Sequence, residues 1–204
     1  MKRSVLFAML ALTLSAPAAF AAQGEWVGGG QFGAHMPTGD YGDFAKTGWL
    51  GGVFIDYMAT PVISLGANLD YHATKAEDAL ANAALADDIN VTIFNYGLNG
   101  AFHFPTTGAA RPYLKVAGGM YNEKTEVKGG PFDGTDDTST DFGIAGGGGI
   151  MFRPATSSVG FGVEALYHNV FGALEDATTG DKKDAQIFTV AAKLTFSFSD
   201  MSQQ

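Results

Sequence analysis

The sequence predicts an all-β fold, an eight-stranded antiparallel up-and-down barrel that spans a membrane. Three observations lead there. In the stretch 186–199, Phe188, Val190, Ala192, Leu194, Phe196 and Phe198 alternate with Thr189, Ala191, Lys193, Thr195 and Ser197. Successive side chains of a strand point to opposite faces, so one face is apolar and the other mostly polar. The stretch also matches the roughly 9–11 residues that a strand needs to cross a bilayer. The same alternation recurs along the rest of the chain. The connections between the alternating stretches run long, short, long, short, long, short, long, as in barrels with short turns on one side of a membrane and long loops on the other.

In chain order, strand one covers 26–36, with Trp26, Phe32, Ala34 and Met36 opposite Gln31 and His35. A loop at 37–46 is rich in turn residues. Strand two is 48–58, with Trp49, Val53, Ile55 and Tyr57 opposite Asp56, and 59–61 is a tight turn. Strand three, 62–72, sets Ile63, Leu65, Ala67, Leu69 and Tyr71 against Ser64, Asn68, Asp70 and His72. The alanine-rich segment 73–88 breaks the pattern and predicts a short helix in a long loop. Strand four is 90–104, with Phe94, Tyr96, Leu98, Phe102 and Phe104 opposite Asn95, Asn99 and His103. Strand five, 111–121, places Leu114, Val116 and Met120 against Tyr113, Lys115 and Tyr121. A long polar loop is expected at 123–140. Strand six is 141–153, with Phe142, Ile144, Ile150 and Phe152 on one side. Strand seven is 159–170, with Glu164 and His168 on the polar side. A loop at 171–183 leads to the closing strand.

The first residues read as a secretory leader. Lys2 and Arg3 precede an apolar core at 5–14, and Ala19-Phe20-Ala21 is a small-x-small cleavage site. Residues 1–21 are therefore set apart from the barrel domain, 22–204. No later run of about 18 apolar residues occurs, so a membrane span here must be made of strands. The net charge of −9 argues against nucleic acid as a partner. The absence of cysteine removes any disulfide framework or thiolate site.

Alternation alone does not say which face is outside. The polar set carries Asp56, Asp70, Lys115, Glu164 and Lys193. The apolar set carries aromatics sorted by depth: Trp49, Tyr71, Phe94, Phe142, Tyr167 and Phe188 at outer strand ends, Trp26, Tyr57, Phe104, Phe152 and Phe198 at inner ends. Two aromatic girdles around an aliphatic band suit a bilayer, whereas a soluble cup has no reason to sort rings in this way. The apolar face is thus expected outward.

With leader, eight alternating strands and an aromatic-rich last strand, the chain resembles the small eight-stranded bacterial outer-membrane proteins of the OmpX, OmpW and OmpA-barrel type. The likeness covers 22 to about 198 and rests on architecture, with no specific motif. It implies an outer-membrane monomer set in lipid and lipopolysaccharide, inserted by the barrel assembly machinery, with a role in envelope integrity or surface interaction through its loops. Such proteins usually end on an aromatic residue. Here Phe198 is followed by a polar tail, 199–204, a departure at the assembly signal.

Gly28-Gly29-Gly30-Gln31-Phe32-Gly33 matches G-x-G-x-x-G, but no helix follows to hold a phosphate, so the run reads as strand. Gly146–Gly149 reads as a bending or close-packing point. The inward polar residues Asp56, Asn68, Asn99, Lys115, Glu164 and Lys193 are the candidate site, a hydrogen-bonded plug in a barrel just wide enough for side chains to fill. Counting across tight hairpins pairs Asn99 with Lys115 and Asp56 with Ser64, and brings Glu164 close to Lys193. His168, His35 and His72 fall near outer rims, where isolated histidines are usually solvated. A rim histidine would need a nucleophile and an acid nearby to serve a lipid-modifying enzyme, and no serine lies close in sequence to His168 on its strand. Asp133, Asp136, Asp137, Asp141, Glu175, Asp176, Asp181 and Asp184 make an acidic rim without calcium-loop spacing. No catalytic, metal or cofactor set is expected. A narrow conduit for small solutes is the alternative function.

Overall fold

The computed structural model describes residues 23–83, 85–154, 157–175 and 182–198. The expected leader and the polar tail lie outside them. Eight strands form: β1 (Trp26–Thr38), β2 (Gly48–Met58), β3 (Ile63–Lys75), β4 (Asp88–His103), β5 (Ala110–Lys128), β6 (Asp136–Phe152), β7 (Val159–Glu175) and β8 (Lys182–Phe198). Each pairs antiparallel with its chain neighbour. β8 returns to β1 from Trp26↔Phe198 to Thr38↔Gln186, which closes the barrel. Closure leaves no open sheet edge within the barrel wall, a condition for spanning a bilayer with strands.

The two faces separate as the alternation requires. Outward residues stay exposed on the isolated barrel, Leu98 at 71% and Val116 at 68%, while the inward Leu50, Phe54 and Met58 are buried. Aromatics meet across neighbouring strands at both ends of the wall. Trp26 pairs with Tyr57 and Phe198 at one end, and Tyr71 with Phe94 and Tyr167 with Phe188 at the other. Trp49 sits 5.5 Å from Tyr71, ring to ring. Phe142 stacks on Phe171 at 6.2 Å and Phe152 on Phe161 at 5.3 Å. Phe104 falls just past the end of β4, 5.2 Å from Phe102.

The outer connections differ from expectation. The segment 123–140, expected as a loop, is mostly strand: β5 and β6 stay paired out to Glu126↔Asp136. Only a 3-10 turn, Gly130–Phe132, and its flanks remain as the connection. β7 and β8 likewise extend to Glu175↔Lys182, past an irregularity between Val170 and Leu174. The reason is physical. Above the membrane both faces of a hairpin meet water, so the ladder continues without an apolar stripe to announce it. β5 is 19 residues long, roughly eight more than a bilayer needs, on the order of 25 Å of additional strand. The loop at 37–46 holds a 3-10 helix (Gly39–Asp43), and the alanine-rich segment holds a short helix, α1 (Asp78–Ala83).

The seam between β1 and β8, like several other ladders of the wall, is tight at glycine. A Cβ at Gly29 or Gly33 would lie 2.0 Å from the carbonyl oxygen of Leu194 or Val190. Neither position has room for a side chain unless the backbone shifts.

Candidate functional site: the barrel lumen

The inward side chains form layers. At the outer end a cap of Tyr41, Ala45, Ile93, Tyr121, Val170, Ala185 and Ile187 packs into one apolar cluster. Tyr41 comes from the 3-10 helix of the first loop, so a loop residue closes the mouth. Ile187 is fully buried.

Under the cap lie three imidazoles. His35 Nδ1 stands 3.0 Å from His72 Nδ1, and His72 packs edge-on to His168. His168 Nδ1 is 2.8 Å from Tyr121 Oη, and its Nε2 is 3.1 Å from Thr189 Oγ1. All three histidines are buried, His35 completely. This corrects the expectation of solvated rim histidines. Because the strands and the cap continue above them, positions that look like strand ends in sequence lie inside the lumen. Among the described residues, the hydrogen-bond partners of His168 are a tyrosine and a threonine.

The next layer is amide and carboxylate. Gln31 Nε2 and Asn68 Nδ2 both donate to Asp70, the latter at 2.7 Å. Asn68 also donates to Asn95 Oδ1 at 2.9 Å. An ionised carboxylate has only acceptor sites, and here two amide donors fill some of them.

Glu164 is the centre of the third layer. It accepts from Lys193 Nζ at 3.0 Å, from Lys115 Nζ at 3.3 Å and from Tyr113 Oη at 2.8 Å. Lys193 Nζ also lies 3.9 Å from the Phe54 ring centroid. Lys115, Lys193 and Glu164 are each about 95% buried or more. Charges so deep need partners, and this trio supplies them within one layer. Asp56 and Asn99 sit beside it around a cavity of about 60 Å3. Asp56 and Asn99 face each other there as neighbouring polar groups. The cavity exceeds the minimum needed for a water molecule.

Two expected pairings are corrected. Asp56 pairs with Gly66, not Ser64, and Asn99 with Ala117, not Lys115. The centre of each hairpin lies one residue later than a tightest turn would put it. In the β2–β3 turn, Thr60 Oγ1 accepts from the amides of Val62 and Ile63 and fixes that longer turn. A shift of two residues preserves parity, so both side chains still face inward.

The inner end is closed by ions and a histidine. Arg153 grips Glu25 with two hydrogen bonds, at 2.8 and 3.2 Å. Arg111 Nη2 donates to the Pro61 carbonyl in the β2–β3 turn. His103 Nε2 stands 3.0 Å from Ser64 Oγ. Glu25, Arg111 and Arg153 were not among the residues singled out from the sequence. They lie at strand boundaries, where the alternation that marks inward residues is lost. Within these layers, Glu25, Asp56, Asp70 and Glu164 match Arg111, Lys115, Arg153 and Lys193 in number.

On the acidic rim, Asp136 bonds Lys124 at 3.0 Å. Asp184 accepts from Asn169 Nδ2 at 2.8 Å and from the Gly172 amide at 3.0 Å. Asp176 and Asp181 lie outside the described residues.

A closed antiparallel ladder with an apolar outer wall and an ion-paired interior defines a membrane-spanning β-barrel. The chain matches the family model for the outer membrane protein beta-barrel domain over residues 4–196 and belongs to that family. Among solved structures it is similar to Neisserial surface protein A, with 17% identity over 88% of this chain and 100% of that one, at a TM-score of 0.61. OprG from Pseudomonas aeruginosa shares 11% identity over 90% of this chain and 100% of its own, TM-score 0.59. Ail, the attachment invasion locus protein of Yersinia pestis, shares 13% over 86% and 99%, TM-score 0.52. At such identities the likeness is one of fold, that of the small eight-stranded outer-membrane barrels. No curated protein matches the chain.

Proposed function

We propose that this protein is a non-conducting barrel of the bacterial outer membrane whose role is structural and surface-directed. The observation that carries this reading is the layered lumen. An apolar cap, an imidazole layer, an amide–carboxylate layer, an ionic layer and an arginine-held inner end lie in series, with internal cavities of about 60 and 10 Å3 between them. A solute would have to break several charge-assisted hydrogen bonds to pass. In this reading residues 1–21 export the chain, the barrel assembly machinery inserts it, and it functions as a monomer without enzymatic activity.

Outward, the protein presents paired strand above the membrane. β6 pairs with β7 only from Gly143↔Val170 inward, so β6 from Asp136 to Phe142 has one partner, β5. Its unpaired edge carries Asp136, Asp137 and Asp141, acids that discourage self-pairing and would favour an extended cationic segment on another molecule.

Single-channel recording in planar bilayers tests the reading. The expected trace has no conductance steps. Reproducible unitary steps would establish instead the narrow conduit for small solutes.

A further inference from the structure

The three imidazoles under the cap can each gain a charge that nothing beside them would balance. His35, His72 and His168 are 0%, 2% and 6% exposed. Their ladder partners are Gly48 and Thr189 for His35, Leu50 and Ile93 for His72, and Ala145 and Ile187 for His168, all uncharged. Among the described residues the buried ion pairs are those of Glu164 with Lys115 and Lys193 and of Glu25 with Arg153, and none includes a histidine.

The bond between His35 and His72 joins two like atoms, Nδ1 to Nδ1 at 3.0 Å. It forms only when one ring brings a proton there and the other a lone pair. A first added proton must enter at the donor ring's Nε2, and Nε2 of either ring has no hydrogen-bond partner among the described residues. A second must enter between the rings, and it leaves two N–H groups facing each other. His168 is also set for the neutral state. Thr189 Oγ1 donates to the Leu166 carbonyl at 3.4 Å, so its oxygen accepts from His168 Nε2, and His168 Nδ1 accepts from the Tyr121 hydroxyl.

The acids around this layer are engaged elsewhere or lose their own charge. Asp70, one layer below, accepts from Gln31 and Asn68, and Glu164 is shared by Lys115 and Lys193. Above the cap, the field of Glu123 on β5 reaches Tyr41. Burial, with Asp141 and Asp137 of β6 adding to it, raises the Glu123 carboxyl to about 7. In acid Glu123 is neutral and offers no counter-charge to an imidazolium beneath the cap. Asp137 is exposed and Asp141 half-buried, further out on the hairpin.

The cap can yield where the wall cannot. The 37–46 loop that carries Tyr41 is tied to the barrel by the isolated bridge Ala45↔Ala76 and by exposed ion pairs of Asp40 with Lys183 and of Lys46 with Asp78. Exposed pairs of this kind hold weakly. Water in an opened mouth solvates an imidazolium, and a closed cap does not. We propose that the imidazole layer is an acid-operated latch: protonation of the His35–His72 pair displaces Tyr41 and its loop from the mouth. Opening takes up protons, so acid favours it and neutrality closes it again. The latch alters the outer surface of the protein and leaves the ionic layer shut, so it is independent of whether the lumen conducts.

The chain has no cysteine, so Asp43→Cys gives one attachment point for a nitroxide, at an exposed position of the loop. In phosphatidylcholine nanodiscs the label is expected to be restricted at about pH 7.5 and mobile at about pH 4.5, on either side of the ordinary imidazole range, and to revert on neutralisation. Histidine nitrogen spectra should show His35 and His72 becoming imidazolium over the interval in which the label is released. With His35→Gln and His72→Gln together the label should stay restricted at both values, and with Glu123→Gln the release should persist. A label equally restricted at both values, release while the two rings stay neutral, release that survives the double variant, or its loss in Glu123→Gln would each overturn the latch. The nitrogen spectra of the unaltered rings decide the matter even if the double variant does not fold.

Discussion

The two ends of the lumen are closed by opposite chemistry. The outer cap is apolar and includes Tyr41 from a loop, whereas the middle and inner plug is ionic and built on strands and the residues that flank their inner ends. An apolar cap is graded: each methylene contributes by area and fit, so small changes cost little. An ionic plug is nearly all-or-none, because removing one member leaves the others charged, buried and unpartnered. The first arrangement tolerates movement of a loop, and the second requires a fixed wall.

The largest expected effect tests that contrast directly. Glu164→Ala strands Lys115 and Lys193 and should destabilise the barrel by about 3–5 kcal/mol, measured as a lower thermal or urea midpoint. A midpoint equal to that of the unaltered protein would refute the ionic-plug account. Replacing all three members together, Glu164→Leu with Lys115→Met and Lys193→Met, should recover most of the loss, since no charge is left unpaired. If the triple variant is no more stable than Glu164→Ala, the cost lies in shape and not in stranded charge.

In the cap, Ile187→Ala should cost about 2–4 kcal/mol and Ile187→Val about 1 kcal/mol. That graded pair is the counterpart of the abrupt loss in the plug, and equal costs for both would erase the distinction. At the inner end, Glu25→Gln keeps the shape and some hydrogen bonding to Arg153 but loses the charge, with an expected cost of about 1–2 kcal/mol.

The smallest effect lies above the membrane. Asp184 stands beyond Phe188 on the outer extension of β8. The hydrogen bonds from Asn169 and from the Gly172 amide hold its carboxyl below the usual carboxylate range. A group with a lowered folded pKa adds stability above its unfolded pKa and loses it as pH falls through the folded one. The protection factor of the Gly172 amide, its exchange relative to an unstructured peptide at the same pH, should therefore be full near neutrality and fall only in acid, below the ordinary carboxylate pKa. Asp184→Asn should be insensitive to pH over that range.

The part of the fold that was legible in sequence is the part where the two faces of a strand meet different media. From Trp49 to Tyr57 or Phe188 to Phe198, lipid outside and a packed lumen inside impose alternation, and parity reads directly as orientation. Above Asn122 and Val170 that contrast is gone, and the ladder carries on through Lys124, Glu126 and Asp136 without leaving a pattern. The plug was partly legible because Glu164, Lys115 and Lys193 are charges on inward parity. Tyr113 is also on that parity, but nothing in its type marks it as a partner of Glu164. The contact between His35 and His72 was not legible, since it depends on the register between β1, β2 and β3 and on a cap supplied by a loop.

The tight seam at Gly29 and Gly33 bears on how the barrel is made. Seven ladders join strands adjacent in the chain and can form by local hairpin closure, while the β1–β8 ladder alone joins its two ends and must wait for the rest. A valine at position 33 would act chiefly on that last event. The product would be a curled sheet held open in the bilayer, with two rows of unpaired amides that lipid cannot solvate. Such a variant should fail as an assembly intermediate, retained or degraded before closure, while its seven hairpins remain sound.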